Sequence, residues 1–393
     1  MKYILQVSTG SWQDRCVGPE EIIRKIGEIA SRIPVESVII GCGTDASVYR
    51  AVGEYLRGAG IRMLLRLPVF SEVGAVAGPD GALDLFGNPV ARPEGQEGDA
   101  FVFGCLSSRR NLRIPEEIYD RYFSSCGFDG VFLDRIRNQS FASGVSGVLS
   151  CGCARCRQAF REKGVDPDEV RAHYETGQDA FFDMDAWPAD GLFVLRDPVA
   201  QRFFEAKEEI VAEAVTELTR RFKARGLIVG LDLFAPLISR FVGQNYTLIT
   251  EGADFIKPML YRRTEAPAGI GYEYALFGRH APGARGRAEF RMDRAFLETQ
   301  LDAVSRVPCA KYPGIEINYN AELVKTDPAY ITESLAAVRD RGFDGAALCW
   351  NILQAPDAHL DAAVNLPAAA ASACTSWSST VQPTSLLLRM LIS

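Results

Sequence analysis

Short apolar runs alternate with amphipathic segments along most of this 393-residue chain. Apolar runs bounded by turn residues predict buried strands, and the segments between them have helical periodicity. Eight strand–helix units are the count of a (β/α)8 TIM barrel, the predicted α/β fold, and a doubly wound open sheet is the alternative. The eight predicted strands are Tyr3–Ser8, Ser37–Cys42, Arg62–Phe70, Gly130–Asp134, Leu227–Leu233, Asp254–Tyr261, Gly314–Tyr319 and Gly345–Asn351.

One long segment interrupts this alternation. Residues from about 135 to 198 follow the fourth strand and predict an insertion on the fourth βα loop. The barrel with this insertion is assigned to residues 1–365. From residue 366 to residue 393 the composition shifts to Ala, Ser and Thr, which predicts a disordered tail of low complexity.

The charge balance argues against two classes of partner. The chain has 43 Lys and Arg against 50 Asp and Glu, a net charge of −7, whereas nucleic acids and anionic lipids attract basic surfaces. No stretch approaches the roughly 18 apolar residues of a membrane span, and the first apolar run is too short for a signal peptide. We therefore expect a cytoplasmic protein, whose 10 cysteines are reduced thiols or metal ligands.

Three cysteines are closely spaced in the insertion, where residues 151–156 read CGCARC. Thiolates at this spacing can share one tetrahedral ion, and a structural zinc site requires four ligands. Cys105 is the preferred fourth ligand, with Cys42 and Cys126 as alternatives. If no metal binds, the three cysteines are free thiols or include a redox pair. A closed four-cysteine site leaves no open coordination position, so the zinc is predicted to be structural. The predicted ligands are Cys105, Cys151, Cys153 and Cys156.

Two motifs carry a resemblance to known enzymes. Residues 128–134 read FDGVFLD, and residues 151–164 read CGCARCRQAFREKG. This combination resembles certain glycoside hydrolase barrels and is similar to family-42 β-galactosidases, which have a four-cysteine zinc site with one ligand upstream. Glycosidase-like barrels of unassigned activity resemble it more closely still. Outside this region only the barrel alternation is shared.

The resemblance implies a retaining reaction that uses two carboxyl groups. In the resembling hydrolases the acid/base lies at the end of strand four and the nucleophile on strand seven, which correspond to Asp134 and Glu316 here. Such a pair must flank the scissile bond, one carboxyl group protonated and the other ionised. A structural alternative is that Asp134 pairs with Arg135 or Arg137 at the barrel rim.

Polar residues also interrupt the apolar strands five and six. Alternation places Asp232 on the inner face of strand five and Lys257 on that of strand six. Buried charges are costly unless paired, so these positions predict a charged site, with a buried ion-pair network as the alternative. Cations near the strand ends also suggest an anionic sugar such as a uronate, with ordinary solvated charges at the barrel rim as the preferred alternative. The predicted substrate-binding residues are Glu72, Arg135, Arg137, Asp232, Lys257, Tyr261, Asn318, Trp350 and Asn351.

Other functions have weaker or no support in the sequence. The chain has only 3 histidines and no Walker A or GxSxG motif, which disfavours metal-dependent, phosphoryl-transfer and serine hydrolases. A non-catalytic carbohydrate-binding protein and a lyase with Lys257 or Tyr261 as base stay open. The expected partner is a small-molecule or oligosaccharide substrate, without nucleic acid or membrane, and homo-oligomers are left open.

Overall fold

A closed barrel of parallel strands forms the centre of the protein. The computed structural model describes residues 1–9, 17–41, 43–71, 78–93, 102–185 and 193–366. Neighbouring strands pair in parallel around the ring, and the first strand pairs with the last, Tyr3 opposite Ala346. The predicted (β/α)8 barrel is confirmed, and the open-sheet alternative is wrong because a doubly wound sheet would leave two unpaired edges.

The strands and helices follow the predicted order. The barrel strands are β1 Lys2–Ser8, β2 Val35–Gly41, β3 Arg62–Pro68, β4 Gly130–Asp134, β5 Ile228–Phe234, β6 Phe255–Met259, β7 Ala310–Lys311, β8 Gly314–Glu316 and β11 Gly345–Cys349; β9 Tyr319–Asn320 and β10 Val324–Lys325 form a separate hairpin. The helices are α1 Pro19–Ala30, α2 Ala46–Gly58, α3 Ile114–Ile118, α4 Gly144–Val148, α5 Ala154–Glu162, α6 Pro167–Thr176, α7 Pro198–Lys223, α8 Pro236–Ser239, α9 Tyr246–Ile249, α10 Ile270–His280, α11 Arg294–Ser305, α12 Pro328–Asp340 and α13 Asp357–Val364.

The seventh barrel strand differs from its prediction. The sequence predicts one strand over Gly314–Tyr319, but the structure has β7 and β8 separated at Pro313, and Tyr319 begins the hairpin instead. Both short pieces pair with β6. Proline has no N–H to donate to a neighbouring strand, so the ladder is interrupted where it stands.

Asp-Pro pairs begin several helices. Asp197 precedes α7 and its Oδ1 accepts hydrogen bonds from the backbone N–H groups of Val199 at 2.8 Å and Ala200 at 3.1 Å. The same cap occurs at Asp327, which accepts from the N–H of Tyr330 at 2.8 Å before α12. The side chain satisfies N–H groups that lack helical partners, and the proline needs no partner at the first helical position.

Aromatic side chains pack in the barrel interior below the polar residues. Phe132 of β4 stacks on Phe255 of β6, with ring centroids 6.0 Å apart. A Cβ atom at Gly230 would lie 2.1 Å from the Phe255 ring. Only glycine at that position leaves room for the ring, so the polar residues higher in the barrel rest on a packed apolar layer.

The insertion between β4 and α7 has its own hydrophobic core. Phe141, Phe160 and Phe182 of this region are buried in a cluster separate from the barrel core. The cluster also includes Phe203 of α7 and Phe277 of α10, so the insertion is anchored to the helices around the barrel. Among the described helices, none has the length and apolar character needed to cross a membrane.

Candidate active site and cysteine cluster

A cavity of about 650 Å³ opens at the carboxyl ends of the barrel strands. This end carries the active sites of barrel enzymes, because the strands there project side chains towards a common centre. Among the described residues, seven charged side chains line the cavity, four of them cationic and three acidic: Arg66, Arg135, Arg137 and Lys257, with Glu21, Asp134 and Asp232.

Asp134, the last residue of β4, forms a salt bridge with Arg66 of the neighbouring strand β3. Its Oδ2 accepts hydrogen bonds from Arg66 Nε at 2.9 Å and Nη2 at 2.7 Å, and its Oδ1 accepts from the Arg135 N–H at 2.7 Å. Burial alone would raise the pKa of Asp134, but the charges of Arg66 and Arg135 lower it to about 2. Asp134 is therefore an ionised carboxylate at neutral pH. The salt bridge of Asp134 is with Arg66.

The pKa of Asp232 on β5 is shifted in the opposite direction from that of Asp134. The Oδ1 atom of Asp232 is 3.1 Å from Nζ of Lys257, and the residue is 3% exposed. Burial and the charge of Asp134 raise the pKa of Asp232 to about 7, although Lys257 acts against them. The cavity thus contains one carboxyl group whose pKa is lowered and one whose pKa is raised.

Lys257 is embedded among polar and aromatic groups. Its Nζ donates to the Tyr261 hydroxyl at 2.9 Å and to Gln6 Oε1 at 3.2 Å. Burial lowers the pKa of Lys257, but Asp232 and further negative groups outweigh it, so the net shift is upward. Burial also raises the pKa of the Tyr261 hydroxyl well above its usual value. Both groups are therefore protonated at neutral pH.

An aromatic side chain lies at the edge of the cavity. Trp350 follows β11, is half-buried and contacts Tyr261 edge-on, with ring centroids 6.2 Å apart. The side-chain oxygen of Asn318 accepts hydrogen bonds from the N–H groups of Trp350 at 2.6 Å and Asn351 at 3.0 Å. Asn351 itself lines the cavity, but Asn318 does not. Asn318 is therefore a positioning residue for the end of β11.

The structure does not bring Glu316 into the cavity with Asp134. Glu316 of β8 is fully buried, it is absent from the cavity lining, and its Oε1 accepts from the Arg263 N–H at 2.6 Å. Burial raises the pKa of Glu316 to about 7, although the Arg263 N–H and the Tyr330 hydroxyl act against it. A catalytic role for Glu316 stays a prediction. Glu72, predicted to contact substrate, lies outside the described residues.

Replacing Glu316 by glutamine is expected to change how stability depends on pH. The folded-state pKa of about 7 exceeds the ordinary 4.5, so wild-type stability is lost as pH rises from 4.5 through 7, by about 3 kcal/mol. The Gln side chain cannot ionise. Urea unfolding should therefore show that the stability of Glu316→Gln rises by that amount relative to the stability of the wild type between pH 4 and pH 8. A difference independent of pH would contradict this prediction.

Five polar residues of the cavity lining were not predicted as site residues: Gln6, Ser8, Glu21, Arg66 and Gln354. Arg66 of β3 and Gln6 of β1 interrupt apolar strands, as Asp232 and Lys257 do. The alternation argument applied to strands five and six predicts both when it is extended to strands one and three. Arg66 is the more consequential omission because it keeps Asp134 ionised.

Four cysteines meet in one cluster. The Sγ atom of Cys105 lies 3.5 Å from that of Cys153 and 3.4 Å from that of Cys156, and with Cys151 all four Sγ atoms lie within 4.8 Å of one another. A tetrahedral zinc–thiolate site with bonds of about 2.3 Å has sulfur–sulfur edges of about 3.8 Å. The donor set therefore fits a metal ion of that kind. Cys126 donates instead to the Tyr122 carbonyl, and Cys42 lies outside the described residues.

The fold and this cavity define the class of protein as a (β/α)8 barrel with a charged site at its carboxyl end. No protein-family model matches the chain, and no curated protein matches it. The resemblance to family-42 β-galactosidases stays a prediction.

Comparison with solved structures identifies a known domain of the same fold. The chain is similar to the glycoside hydrolase domain of PgaB (BpsB) from Bordetella bronchiseptica at 14% identity and a TM-score of 0.60, covering 93% of this chain and 99% of that one. An α-L-fucosidase isoenzyme 2 from Paenibacillus thiaminolyticus matches at 13% identity and a TM-score of 0.48, covering 93% of this chain and 48% of that one. A class V chitinase from Pseudomonas fluorescens matches at 11% identity and a TM-score of 0.47, covering 92% of this chain and 98% of that one. The first likeness shows a shared fold, and the other two add nothing to it.

Proposed function

We propose that this protein is a glycosidase whose reaction takes place in the cavity at the carboxyl end of the barrel. The observation that carries the proposal is that Asp134 and Asp232 line one cavity while their environments shift their pKa values in opposite directions. Glycoside hydrolysis needs one protonated and one ionised carboxyl group. The fold shared with a domain named as a glycoside hydrolase supports the proposal by analogy only.

The two carboxyl groups have different roles in this proposal. Asp232 holds a proton up to about neutral pH and donates it to the departing glycosidic oxygen. Asp134, kept ionised by Arg66, stabilises the positive charge that develops at the anomeric carbon. A water molecule then forms the new C–O bond at that carbon and gives its proton to the ionised Asp232, which restores the acid. Lys257 beside Asp232 holds the acid in place.

The retaining Asp134–Glu316 mechanism suggested by the sequence stays a rival to this assignment. In it, Glu316 attacks the anomeric carbon, which requires access to the substrate, whereas the Glu316 side chain is fully buried. The anomeric form of the first product, followed by proton NMR, distinguishes retention from inversion. Loss of turnover in Glu316→Gln would favour Glu316 as the nucleophile.

We propose a carbohydrate as the substrate, bound with its ring against Trp350. A half-buried indole beside polar side chains offers an apolar face for the C–H groups of a sugar ring. An anionic sugar is part of this proposal, because four of the seven charged side chains that the described part of the chain contributes to the cavity are cationic.

A carbohydrate-binding protein without turnover is the second candidate function. The ion pairs Arg66–Asp134 and Lys257–Asp232 hold both carboxyl groups, an arrangement that also suits binding alone. The lyase has less support, because the raised pKa values of Lys257 and Tyr261 keep both groups protonated and unable to act as a base at neutral pH.

We propose zinc as the ion of the four-cysteine cluster. Cys105, Cys151, Cys153 and Cys156 would hold it, and a site closed by four thiolates supplies structural cross-linking without a position for substrate. Cys105 precedes β4 and the other three follow it, so the ion would tie the insertion to the segment before β4. The reduced thiols that it needs agree with the cytoplasmic location expected from the sequence.

Hydrolysis of aryl glycosides tests the proposed function. A panel of nitrophenyl glucosides, galactosides, N-acetylglucosaminides and uronides in both anomeric forms should contain at least one substrate. Asp134→Asn should lower kcat/KM by at least about 10²-fold. Glu316→Gln is the matched control, since it also removes a buried carboxyl group but one outside the cavity. Sugar binding without turnover of any panel member would favour the binding protein over the hydrolase.

A further inference from the structure

Arg137 is a buried cation in the cavity without an acidic partner of its own. The residue is 6% exposed and lines the cavity. Its Nη1 donates to the carbonyl of Asn138 at 2.9 Å. Within the part of the chain that the structure describes, no carboxylate lies within 4.0 Å of its guanidinium, whereas Arg66 and Lys257 each have one.

Two aromatic rings, those of Phe103 and Phe234, contact this guanidinium. Its Cζ lies 4.2 Å from the ring centroid of Phe234 and 4.7 Å from that of Phe103. Ring contacts stabilise a cation through the ring face and leave the N–H groups at the edge of the guanidinium plane available. Arg137 is therefore oriented before a ligand arrives, and it has donors that Asn138 does not use.

We propose that Arg137 binds a carboxylate of the sugar substrate, so that the cavity selects uronic acid residues over neutral sugars. This inference rests on the proposed carbohydrate function and names its substrate class. A planar guanidinium with a free edge matches a planar carboxylate through two parallel N–H···O bonds. The buried charge is costly without a counter-charge, and a uronate supplies that charge on binding.

The charges around Arg137 favour a ligand with a single negative charge. Glu273, Asp134 and Asp232 are the acidic groups that interact with its guanidinium, and Arg135 opposes them. Glu273 is already engaged, because its Oε1 accepts from Ser140 Oγ at 2.9 Å and from the Ala268 N–H at 3.3 Å. A doubly charged phosphate would be repelled more strongly by these carboxylates than a uronate.

Binding of matched monosaccharides tests the proposal without requiring turnover. The methyl glycosides of glucuronic acid, glucose and glucuronamide differ only at C6, and their galacto counterparts and both anomers complete the set. Calorimetry should show that the wild-type protein binds one uronide at least about tenfold more tightly than its neutral counterpart and than its amide. A phosphorylated sugar is expected to bind more weakly than the uronide.

Variants then assign the preference to Arg137. Arg137→Met should remove this preference, so that uronide and neutral sugar bind with affinities within about twofold of each other, and Arg137→Lys should keep at most a small part of it. Arg220→Met is the matched control, since Arg220 is an exposed arginine on α7 that does not line the cavity. Thermal unfolding of each variant checks that it is folded.

Each outcome separates this inference from the proposed function. Equal affinity of the wild-type protein for uronide and neutral sugar, or a preference that survives in folded Arg137→Met, overturns the role of Arg137 and leaves the glycosidase proposal standing. A phosphate ligand bound as tightly as the uronide overturns the carboxylate class. A uronide preference that depends on Arg137, without hydrolysis of any glycoside, supports the inference and contradicts the glycosidase. Absence of binding to every sugar contradicts both.

Discussion

Replacing Cys105 by serine is expected to release a bound metal ion and to loosen the insertion. Its Sγ lies 3.4–3.5 Å from two other thiols of the cluster, and three thiolates with a hydroxyl hold zinc far less strongly than four thiolates. Structural zinc contributes about 10–16 kcal/mol of apparent binding free energy in small domains. Its loss should therefore lower the melting temperature and open the insertion, residues 135–198, to proteolysis.

Metal content and limited proteolysis measure this effect. The wild-type protein should contain one zinc ion per chain, as determined by elemental analysis, and Cys105→Ser should contain little or none. Cys126→Ser is the matched control, because Cys126 is also buried but lies outside the cluster. A wild-type protein that is purified without metal, and whose stability a chelator does not change, would contradict the zinc assignment.

Replacing Asp232 by asparagine is expected to remove the general acid and the pH dependence that it causes. Because the pKa of Asp232 is about 7, kcat/KM of the wild-type enzyme should fall as pH rises through 7. Since the pKa of Asp134 is about 2, no loss is expected between pH 4 and pH 6. Asp232→Asn should lower kcat/KM by about 10²–10⁴-fold and abolish the fall above pH 7.

The leaving group provides a stricter test of the same role. An activated leaving group such as dinitrophenolate departs without protonation, so Asp232→Asn should affect its release much less than that of an alkyl alcohol. The matched control is Glu316→Gln, because the pKa of Glu316 is also about 7 but its side chain lies outside the cavity. Equal losses of kcat/KM for both leaving groups would contradict the assignment of Asp232 as the acid. If the fall of kcat/KM above pH 7 disappears in Glu316→Gln, Glu316 is the acid instead.

Periodic features of the sequence predicted the elements that depend on local interactions. The alternation of apolar runs gave the strand order of the barrel, with β4 ending at Asp134 as predicted. Alternation along single strands also identified Asp232 and Lys257, which pair at 3.1 Å. It missed β7, which lies before Pro313 and is only two residues long, because so short a strand shows no alternation.

The roles of the carboxyl groups required the folded barrel. Asp134 and Arg66 are 68 residues apart in the sequence, and only the pairing of β3 with β4 joins them. Glu316 stands in a strand as Asp232 does, yet the loop after β6 supplies the Arg263 N–H that binds its carboxylate. No local pattern distinguishes an acidic residue beside a cavity from one buried under a loop.

The sequence by itself determined the barrel and the three closely spaced cysteines, because hydrophobic periodicity and ligand spacing are local properties of the chain. Only the tertiary structure decided which carboxyl groups face the cavity, which cysteine completes the cluster and that Arg137 has no carboxylate within salt-bridge distance among the described residues. The physical reason is that burial and the charges of distant neighbours set the pKa of a group, and both arise only when remote segments pack together.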